Sequence, residues 1–217
     1  MKEIKKGTSE EEVDKYLDEY KSEKDIKGSQ FGLLRLRQKK AKKKAITVRW
    51  EKIPGAKYYV LYGAKCGRTE TGFTPYKKIK KVKGTTYNQK KRAKATYYKY
   101  LVIAYSKDKK VLATSKTVHI TTKGGKYGND KGVKVKKTKM KISLRSKKKN
   151  KIKAKSIVQS KKLPVRRHRQ ICYESTNKKI AQVTKKGLIK PKKKGKCYIY
   201  VYTQNGLYKK VAVTVTK

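Results

Sequence analysis

Positive charge constrains this chain more than any other feature. Its 217 residues carry 65 Lys+Arg against 14 Asp+Glu, a formal net charge of +51. The acids are concentrated at the start: residues 1–30 hold 9 of them with 7 basic residues, which leaves 58 basic and 5 acidic residues in 31–217. Charge of this size repels itself in a compact state and attracts polyanions. It also leaves few carboxylates with which to do chemistry. The composition argues for a binding or structural module and against most enzymes.

The basic residues are 56 Lys and 9 Arg. Sequence-reading nucleic-acid binders rely on arginine forks, whereas lysine excess suggests a solvated coat or a non-specific polyanion contact. Hydrophobic residues make up 35% of the chain, below the usual ~45–50%, but they are clustered enough for two small cores. Tyr outnumbers Phe and Trp, 17 against 2 and 1, which suits strands with partly wet faces. No apolar run approaches the roughly 18 residues of a membrane span. The N-terminus lacks the apolar core of a signal peptide, so the sequence reads either as cytosolic or as a fragment of a longer exported chain. Cys66, Cys172 and Cys197 are too few for a disulfide framework.

Residues 9–24 read as a helix. Ser9 stands as N-cap and Glu12 completes a capping box. Val13, Tyr16, Leu17 and Tyr20 form one apolar stripe at helical spacing. This segment reads either as a short helix docked on the next domain or as the tail of a domain upstream. From Leu33 the period changes to two. Candidate strands are 33–37, 45–51, 57–63, 76–82, 85–88, 96–105 and 110–121, a series that suggests a sandwich. The Gly-rich stretch 123–132 reads as a linker. Further strands are expected at 133–144, 151–158, 170–175, 180–184, 187–190, 196–203 and 207–216. The expected fold is all-β: two tandem Ig-like β-sandwiches preceded by a short N-terminal α-helix. The expected domains are 1–30 (helical segment), 31–122 (first sandwich), 123–132 (linker) and 133–217 (second sandwich).

Trp50 with the following Pro54-Gly55 turn, Tyr58-x-Val60, and the TYYKYLVIA strand resemble a fibronectin type III domain. The resemblance implies a buried Trp50 and makes Tyr98 a tyrosine-corner residue. The second half is similar to the bacterial Ig-like group 2 family. The similarity rests on Ser175-x-Asn177, Ile180-Ala181-x-Val183, Gly187-x-Ile189, Gly195 and Ile199-x-Val201. This chain has Tyr173 where that family has Trp, which implies Tyr173 as a core plug. Both families are mostly non-catalytic. The resemblance implies a modular surface or secreted protein of a Gram-positive-like bacterium.

Candidate sites are few. The acids beyond residue 30 (Glu51, Glu70, Asp108, Asp130, Glu174) are scattered, and no nucleophile elbow, phosphate loop or zinc-protease motif is present. No enzyme, cofactor or metal is expected. A zinc site from His168, Cys172 and Cys197, or a Cys172–Cys197 disulfide, is opposed by strand parity, which points the two cysteines to opposite faces. Lys161, Lys162, Arg166, Arg167, His168 and Arg169 form the densest arginine segment. It reads as a grip for phosphate or sulfate or as a solvated loop. Tyr198, Tyr200 and Tyr202 should face outward together, either stacking on sugars or bases or filling cross-strand pairs. Strand 96–105 is apolar on both faces. Tyr97, Leu101, Ile103 and Tyr105, joined by Tyr59 and Leu61, should make an outer face that the N-terminal helix covers.

The expected function is a non-catalytic cell-surface or secreted adhesion module, a monomeric part of a larger chain. It would bind anionic cell-wall polymers or acidic glycans through its lysines, without membrane insertion. The competing readings are non-specific nucleic-acid binding and a pure structural spacer.

Overall fold

The computed structural model describes residues 4–19, 34–70, 72–146, 150–165 and 171–217. The chain divides into two units, Met1–Lys126 and Tyr127–Lys217, and both are built of β-strands.

In the first unit α1 (Glu10–Asp18) precedes β1 (Arg37–Ala41), β2 (Ile46–Arg49), β3 (Tyr58–Lys65), β4 (Arg68–Thr69), β5 (Gly72–Phe73), β6 (Lys77–Val82), β7 (Thr86–Gln89), β8 (Tyr97–Tyr105), β9 (Val111–Thr114) and β10 (Val118–Thr121). One sheet runs β1-β2-β7. The other runs β10-β8-β3-β6, with β9 also on β8. The core between them joins Leu36, Ile46, Val48 and Trp50 to Tyr59, Leu61, Tyr98, Tyr100, Val102 and Ile120. Trp50 lies tilted against Tyr59 at 5.6 Å between ring centroids. The buried tyrosines keep their hydroxyls at the edge of this core. Tyr98 accepts from the Ala93 N–H at 2.9 Å, and Tyr59 accepts from the Ile53 N–H at 2.8 Å. Each pins a turn to the core through a ring that also contributes apolar area.

All nine residues of β8 are buried, so both of its faces must be covered. Strand register decides which residues share each face. Tyr58 lies opposite Tyr105, Val60 opposite Ile103 and Tyr62 opposite Leu101, and directly opposed residues point the same way. The outer face is therefore Tyr58, Val60 and Tyr62 with Leu101, Ile103 and Tyr105. Tyr59 and Leu61, expected there, are in the core instead.

The N-terminal segment covers that outer face, with Ile4, Val13 and Leu17 closing over it. Helix α1 starts with the capping box: Ser9 Oγ accepts from the Glu12 N–H and Glu12 Oε2 accepts from the Ser9 N–H. It ends at Asp18, short of the expected 24, and Tyr20 lies outside the described residues. Polar contacts rim the apolar contact. The Tyr58 hydroxyl donates to Glu10 at 2.6 Å and the Tyr62 hydroxyl to Asp14 at 2.7 Å. Lys78 Nζ reaches Glu10 at 2.9 Å and Asp14 at 2.6 Å. Burial raises the Glu10 carboxyl, but Tyr58 and Lys78 outweigh it and hold Glu10 below its ordinary value. The Gly7 N–H donates to the Val111 carbonyl and the Val111 N–H to the Thr8 carbonyl, which ties the segment to the sheet edge.

The second unit contains β11 (Asp130–Val135), β12 (Lys139–Ser143), β13 (Ala154–Val158), β14 (Cys172–Ser175), β15 (Ala181–Val183), β16 (Ile189–Pro191), β17 (Gly195–Tyr202) and β18 (Tyr208–Thr216). A four-stranded sheet β12-β18-β17-β14 packs its Cys197, Ile199, Val201, Val211, Val213 and Val215 against Val133, Ile152, Ala181 and Ile189. Two strand pairs, β11-β13 and β15-β16, form that cover, with Ile152 supplied by the segment leading into β13.

Several expected strands are redivided. The 133–144 strand is two, because the chain changes sheets: β11 pairs antiparallel with β13, while β12 runs parallel to β18. Strand 110–121 is broken between β9 and β10 at Ser115, whose N–H donates to the Val102 carbonyl while its Oγ accepts from the Val102 N–H. Strand β1 begins at Arg37, where the 33–37 candidate ends. Residues 130–132 of the expected linker belong to β11, paired with Val158 and Ile157 through a bulge.

Removing residues 1–27 uncovers the second apolar layer of the first unit. Burial of Val13 and Leu17 is worth roughly 1.5–3 kcal/mol each, so the truncated chain should melt lower and bind a hydrophobic dye. An unchanged melting temperature would show that the helix does not stabilise the sheet.

Candidate functional site

An open cleft of about 1060 Å³ lies in the second unit. Its walls follow from period-two alternation. Along β11 and the residue after it, Val133 and Val135 turn inward and Lys134 and Lys136 outward. In the segment leading into β13, Ile152 and Ala154 turn inward and Lys151, Lys153 and Lys155 outward. The two strands pair so that Lys134 stands directly opposite Lys155. Lys185 and Lys186, on the turn before β16, complete a set of seven lysines lining the cleft, and all seven are exposed. Like charges placed opposite each other destabilise a strand pair. A cleft lined with one sign of charge also focuses its field outward on counter-ions.

Tyr173 and Asp130 also line the cleft. The Tyr173 ring packs on the turn at Gly187. A Cβ built there would stand 2.8 Å from Tyr173 Cζ, and Gly187 has φ +78. Only glycine meets both conditions without strain. Tyr173 is half-buried, packing on the edge of the core while lining the cleft. Asp130 is 4% exposed. Burial pushes its carboxyl up to about 6, against a hydrogen bond with Ser156 that lowers it. Its Oδ1 has no hydrogen-bond partner.

The residues singled out in the sequence fall differently. Lys161 and Lys162 are exposed on a turn closed by Ser160, away from the lining of the cleft. Arg166, Arg167, His168 and Arg169 lie outside the described residues. Tyr198, Tyr200 and Tyr202 do not form a common open face. Tyr198 is 44% exposed, with Lys210 Nζ 4.3 Å over its ring, but Tyr200 and Tyr202 are each 8% exposed. Tyr200 meets Tyr208 edge-on at 5.3 Å, a cross-strand packing that uses up its ring surface. Trp50 and Tyr98 lie in the first core. Cys197 is buried in the second core while Cys172 pairs opposite Tyr202 on the other face, and both are free thiols. Among the described residues no three His, Cys, Asp or Glu side chains converge.

The cleft lysines were missed in the sequence although their signal is present. VKVK at 133–136 and KIKAK at 151–155 alternate lysine with apolar residues throughout. A second, smaller basic groove of about 670 Å³ in the first unit is lined by Lys65, Lys77, Lys78, Lys90, Lys91 and Arg92. Its Lys78 is already engaged by Glu10 and Asp14.

Two outcomes follow. Asp130 holds its proton in the fold to about 6, against 3.8 ordinarily. Below the lower value both states are protonated and no stability is lost. Between the two values the unfolded chain binds fewer protons, so stability falls as pH rises. Above 6 the loss is complete, roughly 3 kcal/mol at most. Unfolding followed between about pH 4 and pH 7 should show this decline in the second unit, and Asp130→Asn should flatten it. Separately, Gly187→Ala should destabilise the second unit by roughly 1–3 kcal/mol, read as a lower denaturant midpoint.

No protein-family model matches this chain and no curated protein is similar to it. Among solved structures, a fibronectin type III domain of human fibronectin type III domain containing protein 3 is 24% identical. It covers 44% of this chain and 89% of that one at TM-score 0.34. The FN5 domain of Drosophila Lar is 20% identical over 42% of this chain and 96% of that one, at TM-score 0.35. By its own strand order, its buried Trp50 and the Tyr98 corner, the first unit is a fibronectin type III-like sandwich.

Proposed function

We propose that this chain is a non-catalytic attachment module of a cell-surface or secreted protein. It holds anionic cell-wall polymers or acidic glycans through its lysines, with the cleft of the second unit as the principal contact. The observation that carries this reading is the seven-lysine cleft, in which Lys134 and Lys155 face each other across two paired strands. An anion laid between them removes a repulsion that is built into the fold.

Three further features agree. Sandwiches of this kind are common in cell-surface proteins, although fold alone does not fix function. Lysine is a hydrated point charge on a flexible stem, suited to a polymer that can shift along its site. The cleft is open, which admits a chain whose ends lie elsewhere. Such binding is electrostatic and weakens with salt, as the screening length shrinks from about 10 Å at 0.1 M to about 3 Å at 1 M.

The test is co-sedimentation of the chain with purified Gram-positive cell walls, with and without their teichoic acids, across a salt series and with duplex DNA as competitor. Retention should require the teichoic acids, resist DNA, and drop about tenfold in Lys134→Glu/Lys155→Glu. Equal loss to DNA with the same salt slope would instead identify a generic polycation, and the attachment reading would fall.

A further inference from the structure

The smaller groove, at one end of the first sandwich, holds donors that the fold fixes and leaves unused. Strand register aims them. Gln89 lies opposite Ile46 in the β2–β7 pair. Ile46 points into the core, so Gln89 points inward as well. On the other sheet Lys77 lies opposite Gly63, Gly63 opposite Tyr100, and Lys65 opposite Tyr98. Tyr98 and Tyr100 are core residues, so both lysines leave their strands on the inward side. Lys65 and Lys77 remain exposed, Gln89 and Arg92 are half-buried, and all four line the groove.

Gln89 and Arg92 are held in place. Gln89 Oε1 accepts from the Tyr100 hydroxyl at 2.8 Å, which leaves the amide nitrogen as the free donor. The Arg92 backbone N–H donates to the Lys44 carbonyl at 3.0 Å and its Nε to the Lys90 carbonyl at 3.2 Å. Its guanidinium lies 5.4 Å from the centroid of the Tyr98 ring. Among the described residues Gln89 Nε2 and the two Arg92 Nη groups have no hydrogen-bond partner, and these nitrogens are open to solvent. None of the ion pairs among the described residues includes Lys65, Lys77 or Arg92. A polar side chain at an inward position of a sandwich is informative where an apolar one is not.

We propose that this groove is a second anion site, built for a single terminal phosphate group. It goes beyond polymer retention by the cleft of the second unit and does not depend on it. A phosphate monoester carries three terminal oxygens and a charge of about −1.5 to −2 at pH 7. The Arg92 fork takes two of the oxygens, the Gln89 amide takes the third, and Lys65 and Lys77 supply charge from the opposite sheet. A phosphate diester inside a polymer has fewer such oxygens and a single charge, so it gains less. Donors already fixed by Tyr98 and Tyr100 lose little freedom on binding.

The test titrates the full ¹⁵N-labelled chain with methyl phosphate, dimethyl phosphate and inorganic phosphate at constant ionic strength. The side-chain N–H signals of Gln89 and Arg92 should shift together and saturate with methyl phosphate. Dimethyl phosphate should bind about tenfold more weakly. Arg92→Lys keeps the charge and loses the fork, and should weaken methyl phosphate about tenfold. Tighter binding of methyl phosphate than of inorganic phosphate identifies an esterified group as the ligand, the reverse order identifies the free ion, and either supports the site. Unmoved Gln89 and Arg92 signals in the wild-type chain would overturn the site without any variant. Unchanged affinity in Arg92→Lys, or equal affinity for the monoester and the diester, would reduce the groove to general attraction between opposite charges and overturn it equally. These signals report on the first unit alone, so their failure leaves retention on cell walls through Lys134 and Lys155 untouched.

Discussion

An ammonium group taken out of water without a partner destabilises a fold strongly, and this chain has 56 lysines to place. That constraint runs through both units. Strands that alternate lysine with apolar residues satisfy it directly, because one face goes to the core and the other to water. Edge strand β6 shows the same solution, with Lys77, Lys78, Lys80 and Lys81 along an exposed border that discourages pairing with another chain. Where a lysine does enter the interior it finds an aromatic partner: Lys99 is 2% exposed, and its Nζ lies 4.4 Å over the Tyr76 ring.

The scarce acids gain importance from the same constraint. Glu10 and Asp14 fasten α1 over the outer face of the first unit through Tyr58, Tyr62 and Lys78. Glu51 joins Arg35 and Arg37 beside the first sheet. These pairs are partly exposed and individually modest, so the apolar contact of Val13 and Leu17 does most of the holding while the ionic rim orients the helix. Asp130 differs from both groups: it is buried, and its Oδ1 is shut away from solvent without a hydrogen-bond partner.

Sequence expectation and structure part where strand pairing, not local periodicity, decides the outcome. Tyr59 and Leu61 lie in the core and not on the outer face because parity within one strand says which residues share a side, but only the register with β8 says which side is outer. Strand 133–144 looked continuous because its alternation hardly falters, yet the chain crosses between sheets after Val135. Tyr200 and Tyr202 alternate out of the core as parity requires, but cross-strand packing and burial leave only Tyr198 open.

The sequence by itself determined the class of fold, the helix start at Ser9, the two apolar faces of β8 and the dominance of positive charge. Each is set by local periodicity, capping chemistry or composition, which need no knowledge of distant neighbours. Only the tertiary structure decided the cleft. Lys134 and Lys155 are separated by 20 intervening residues, and it is the pairing of β11 with β13 that sets them face to face. Asp130 became a buried acid with an unpaired oxygen in the same way, since burial and hydrogen-bond satisfaction belong to the packed neighbourhood and not to the residue.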